Sequence, residues 1–217
     1  MKYNYITMIE NNINLHIPCG LRCHTKEKMR TIYDIKSQET LLFDNGFISP
    51  YSIKKLLNTK YININLDNTA PCIKIEKYME NDKKGIKFIE YSYEEINKYI
   101  EKNGYNNQYL DSTKGYYTLL KDYDCVLAHY NWHKSSDKNI TNPKKNIKII
   151  EEIINRRKLR LENMIKNSDT LHIYYDKADA DFIIINKEKF NLSIDIVKEY
   201  LILTFTKYKK KIICNEL

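Results

Sequence analysis

Cys23 is the residue whose type and setting could do chemistry. It follows Pro18-Cys19-Gly20-Leu21-Arg22, where a short alternating strand, Asn14 to Pro18, hands over to a helix expected from Thr25 to Lys36, with Thr25 as its N-cap. A thiol at a helix start meets the positive end of the backbone dipole and unpaired N–H groups. Both favour thiolate over thiol and so make a nucleophile, and Arg22 and His24 would add to that stabilisation. The bland alternative is a small buried hydrophobe near a strand end. His16, Cys19, Cys23 and His24 bring nitrogen and sulfur ligands close together, but a second Cys/His pair at zinc spacing is missing, so no metal site is assigned. Neither GxxxxGK[ST] nor GxGxxG occurs, and no cofactor is expected.

A second chemical feature lies in the longest expected helix, Asn142 to Lys166. On a wheel of about 100° per residue, Ile147, Ile150, Ile154, Leu161, Met164 and Ile165 form one apolar stripe. Arg157 falls near its middle, Arg160 at its edge and Arg156 towards solvent. An inward guanidinium needs a carboxylate, backbone carbonyls or a bound anion. Arg157 and Arg160 are therefore a structural clamp or an anion-recognition pair, or Arg157 is simply exposed at a helix kink; Asp44 and Asp176, at strand ends, are candidate carboxylate partners.

The elements that must position these groups alternate between strand and helix. Glu39 to Phe43 reads as a strand closed by Asp44-Asn45-Gly46, and Ser49 to Asn58 as a helix with Pro50 in its first position. Met29, Ile32 and Tyr33 form the inner face of the preceding helix. Cys72 to Met79 and Ile86 to Tyr91 flank a turn and read as a hairpin; Glu94 to Lys102 reads as helix and Tyr105 to Tyr117 as loop. Cys125 to Tyr130 and Thr170 to Tyr175 are strands, with Asp176 at the end of the second. Ser193 to Lys209 is a helix apolar on much of its surface, hence expected to be well buried, and Lys211 to Cys214 a last short strand. This order predicts one α/β domain over residues 1–217, with a mixed, partly parallel sheet flanked by helices and a β-hairpin insertion.

The 217 residues suffice for one core and contain no apolar run of about 20 residues, and the chain opens on no secretory leader. Five cysteines, an odd number set mostly in apolar runs, argue for reduced thiols in an intracellular, cytoplasmic setting. The formal charge of +8 would raise nucleic acid as a partner. However, Lys, Asn, Ile and Tyr all have AT-rich codons, and no clustered basic and aromatic reader motif accompanies the charge, so neither a nucleic-acid nor a membrane partner is expected.

Several segments together carry a resemblance. Ile17-Pro-Cys-Gly20-Leu-Arg-Cys23, then Leu42-Phe43-Asp44, Ala128-His129-Tyr130 and Arg156-Arg157-Lys-Leu-Arg160 leading into the strand from Thr170, resemble in order and spacing a papain-like cysteine peptidase family. That family has Ser-Leu-Gly-x-x-Cys, Phe-Asp-Trp, His-Asp-Phe and Arg-Arg-x-x-Arg motifs. The chain departs from it at Pro18-Cys19, Asn45 and Tyr130. The resemblance implies Cys23 as nucleophile, His129 as base and Asp44 as the orienting acid. The implied activity is acyl transfer on a peptide or other acyl substrate, with the oxyanion received by helix-start N–H groups. The competing expectation is a non-catalytic α/β protein that binds an anionic ligand or a partner macromolecule through its basic, Tyr-rich surface.

Overall fold

The computed structural model describes residues 6–9, 12–21, 24–35, 40–44, 46–92, 94–95, 98, 102, 117–127, 143–176 and 179–217. The first half of the chain contributes β1 (Ile6–Ile9), β2 (Asn12–Pro18), α1 (His24–Tyr33), β3 (Gly46–Ile48), α2 (Pro50–Asn58), β4 (Thr69–Glu80) and β5 (Lys83–Glu90). The second half contributes β6 (Tyr117–Leu120), a 3-10 turn at Lys121–Tyr123, β7 (Cys125–Leu127), α3 (Pro143–Lys166), β8 (Thr170–Tyr175), β9 (Phe182–Ile185), β10 (Glu188–Asn191), α4 (Ile194–Thr206) and β11 (Lys211–Glu216).

The expected mixed α/β class is observed, but its strands form two sheets. The first has the order β1-β2-β8-β11, with β2, β8 and β11 mutually parallel. Parallel neighbours require long crossovers. Between β8 and β11 the chain runs through β9, β10 and α4, and between β2 and β8 it builds most of the remaining structure. Alternation along β2 turns Leu15 and Ile17 to one face, in register with Leu171 and Ile173 of β8. These four share a buried cluster with Ile150, Ile154 and Leu161 of α3 and with Leu201 and Phe205 of α4. Asn14, His16 and Pro18 point the other way, alongside Thr170, His172 and Tyr174.

The second sheet has the order β10-β9-β5-β4-β6-β7-β3, antiparallel except where β5 meets β9. Two of its hairpins, β4–β5 and β9–β10, close on two-residue turns, Asn81-Asp82 and Asn186-Lys187, all at positive φ. Such turns match the right-handed twist of the strands. Gly85, expected in the first turn, lies instead within β5, because a Cβ there would sit 2.2 Å from the ring of Phe182 on β9. In α2, Ser49 caps the helix by accepting from Ser52 N at 3.1 Å, and Ile53, Leu56 and Leu57 are buried as their spacing predicts.

Three expectations need correction. Residues 40–44 form a turn and not a strand: the Asp44 carboxylate accepts the Leu41 N–H, which curls the backbone. Thr25 lies inside α1, not at its cap; and of the supposed inner face of α1 only Met29 is buried, Ile32 being 58% exposed. Among the described residues of α3, Lys158 is buried, 3% exposed and paired with Glu162 one turn on, and Arg157 beside it is half-buried with its Nη1 enclosed, in keeping with its place on the apolar stripe. Finally, α4 buries Leu201, Thr204 and Phe205 but leaves Leu203 60% exposed. Of the helix expected at 94–102, Glu94, Glu95, Lys98 and Lys102 are described and helical. The expected loop up to Tyr117 and the end of the strand expected at 125–130 lie outside the described residues, apart from β7 and Tyr117 itself.

Candidate active site

The junction between β2 and α1 is held by contacts with the far end of the chain. Beyond Pro18, Cys19 N donates to Tyr174 O at 2.7 Å and extends the parallel ladder by one residue. The chain then passes Gly20, where a Cβ would fall 1.6 Å from Thr25 Oγ1 and 2.3 Å from Asp176 Oδ1. Glycine is required there by close approach. Thr25 Oγ1 donates to Asp176 Oδ1 at 2.6 Å, and Lys28 Nζ lies 3.5 Å from Asp176 Oδ2. The start of α1 is thus pinned to the carboxyl end of β8, the edge at which open parallel sheets gather their ligands.

Asp44 makes the second connection. Its Oδ2 accepts from Leu41 N at 2.7 Å and from Lys26 Nζ, in the first turn of α1, at 2.9 Å. Two residues on, Gly46 begins β3 and pairs with Leu127, the last residue of β7. A continuous line of contacts therefore joins the first turn of α1, through Asp44 and β3, to the end of β7. Cys23 and His129 themselves lie outside the described residues, as do Arg22, Asn45 and Tyr130. The described chain resumes at His24, the first residue of α1, and stops at Leu127.

The other four thiols are described, and three of them are buried. Cys19, Cys72 and Cys125 are buried, and burial pushes each thiol pKa well up; nearby Cys214 and Asp44 add to the effect at Cys19. Cys214 is half-buried and raised for the same reason. All four should remain protonated and unreactive at neutral pH. His16 and Cys19, weighed together as metal ligands, belong to opposite faces of β2: His16 stacks on His172, while Cys19 joins the core. Among the described residues, no group of three His, Cys, Asp or Glu is arranged to hold a metal ion.

The two acids considered as arginine partners serve α1 in this way. Arg160 Nη1 donates to Thr40 O at 3.0 Å and so ties α3 to the turn that carries Asp44. Arg160 also lines a shallow cavity of about 350 Å³ with Arg156, Asn163 and Asn167, and Arg157 does not contribute to it. A larger cavity of about 900 Å³ reaches the end of β11 at Glu216 and is walled by Asp179, Leu192 and Asp195. Sequence reading missed this one. Much of its wall comes from residues 179–195, where a run of isoleucines between polar residues was the sole signal of β9.

Compared with known proteins, the chain matches no family model, no curated protein and no solved structure. No helix among the described residues is long and apolar enough to cross a membrane.

Proposed function

We propose that the protein is a cysteine-dependent acyl hydrolase in which Cys23 is the nucleophile and His129 the base, and Asp44 is a positioning residue. The observation that carries this reading is the line Lys26–Asp44–Gly46–Leu127, which links the chain just after the thiol to the chain just before the imidazole. A Cys/His pair so far apart in sequence needs such a scaffold before its side chains can meet. The burial of Cys19, Cys72 and Cys125, and the raised pKa of these three and of Cys214, give further support.

In this scheme His129 takes the Cys23 proton, and the thiolate attacks the substrate carbonyl to give a tetrahedral oxyanion held by N–H groups at the helix start. The leaving amine or alcohol departs with the proton from His129, and water then hydrolyses the thioester.

The test is alkylation by iodoacetamide at mildly acidic pH, followed by peptide mapping. Cys23 should label at least about tenfold faster than Cys19, Cys72, Cys125 or Cys214, and His129→Ala should slow it. Uniformly slow labelling of all five thiols would sink the proposal and favour a non-catalytic binding protein.

A further inference from the structure

Among the described residues β11 ends its sheet: it pairs with β8 on one side and with no strand on the other. Such an edge offers a row of N–H and C=O groups to another chain. Lys211 N donates to Asp169 O at 3.3 Å and Leu217 N to Tyr175 O at 2.9 Å, so the odd-numbered residues turn their backbone groups to β8. Ile212, Cys214 and Glu216 therefore present theirs along the opposite edge. No proline interrupts the strand, and its charges sit at its two ends, Lys211 and Glu216.

The helix beside this edge is apolar on its outer side. Ile194 and Val197 of α4 pack with Ile212 and Cys214 against the same core cluster, and the Lys198 ammonium acts electrostatically on the Cys214 thiol. One turn beyond Lys198, on the same flank, stands Ile202, 38% exposed, and next to it Leu203, 60% exposed. With Lys198 they line a shallow cavity of about 300 Å³. Exposed apolar surface alongside an unpaired strand marks a place where another chain docks.

The charges name that chain. A two-fold axis through the joined sheet keeps every residue on its own face, so a residue of one copy can stand opposite only one of the same parity in the other. Centred on Ile213, an antiparallel pairing of β11 with itself sets Ile212 against Cys214 and Lys210 against Glu216, each twice. Centred on Ile212 or Cys214, it would set no opposite charges face to face. Lys210 Nζ gives one hydrogen to Lys166 O at 3.2 Å, which leaves others for Glu216, an exposed side chain. We infer that two copies of this chain join through β11 in the register centred on Ile213, with Ile202 and Leu203 of the two α4 helices covering the seam. The surface is independent of the thiol chemistry.

Sedimentation velocity on the full chain, from low to high micromolar concentration, tests it. A closed monomer–dimer equilibrium is expected. Glu216→Lys and Leu203→Glu should each weaken it about tenfold, and combining Lys210→Glu with Glu216→Lys should restore it. Glu216 and Leu203 are exposed, so these variants should fold as the parent does. The register has its own readout in oxidised glutathione. Ile213→Cys should crosslink two copies, because opposed residues of that kind stand about 4.5 Å apart, within disulfide reach. Cys214 of the unsubstituted chain should not, its counterpart lying roughly 7–8 Å away on the diagonal. A monomer at every concentration, a dimer indifferent to both charge reversal and Leu203→Glu, or crosslinking through Cys214 would each overturn the inference. So would a monomer whose Ile212 and Cys214 amides exchange slowly, since another segment of the same chain would then hold the edge.

Discussion

The Asp44 carboxylate is only 2% exposed, yet it holds both a backbone N–H and an ammonium group. Removing it strands the Leu41 donor and leaves Lys26 to reach for solvent. Asp44→Ala should therefore cost about 3 kcal/mol of stability in urea unfolding, and Asp44→Asn, which keeps an acceptor for Leu41, roughly half as much. If Asp44 positions the reactive pair, Asp44→Asn should also slow alkylation of Cys23 while the protein remains folded.

His16 makes a different prediction. It is 7% exposed, stacks on His172 with ring centroids 4.9 Å apart, and shares a 2.7 Å hydrogen bond with Tyr174 Oη. Burial, reinforced by neighbouring His172, pushes its pKa down from 6.5 to about 4. Between those values the unfolded chain binds the proton and the folded chain does not, so stability rises with pH across this window. The contribution is fully present above about 6.5 and is lost as pH falls towards 4. The loss should be on the order of 3 kcal/mol, and His16→Asn should flatten that part of the stability–pH curve.

Gly20 decides where α1 starts relative to β8, because the helix can approach Asp176 only if no Cβ intervenes. Gly20→Ala should destabilise the fold by about 3 kcal/mol through overpacking, read as a lowered unfolding midpoint. Thr25→Val, which loses only the hydrogen bond to Asp176, should cost about 1 kcal/mol. Among the elements, α2, α3, β2, β8 and β11 were legible because each has its own period, cap or length. The β9–β10 hairpin was not, since Asn186-Lys187 lacks the glycine that usually marks such a turn. The turn at 40–44 reads as a strand for a related reason: Leu41, Leu42 and Phe43 form a short continuous apolar run, as a buried strand would, and the Asp44–Leu41 hydrogen bond bends it.

Across the whole molecule, two sheets share the chain, and their interior strands should be the last to open. Hydrogen exchange should be slowest in β8, flanked by β2 and β11, and in β4, flanked by β5 and β6. It should be faster in β3 and β10, which end the seven-stranded sheet among the described residues. Exchange in β8 as fast as in β10 would contradict the parallel sheet at the centre of the fold.

The sequence by itself determined the mixed α/β class, most helix positions and the apolar stripe of α3, because periodicity, caps and turn residues act over a few neighbouring positions. It also carries the resemblance from which Cys23, His129 and Asp44 are proposed as a chemical set. Only the tertiary structure decided that β2 lies against β8, that His16 meets Tyr174 across 158 positions, and that Asp44 reaches Lys26. It also decided that aromatic rings of α2, β10 and α4 meet. Those outcomes depend on which distant segments pair and how closely their backbones pack, and no local pattern records that choice.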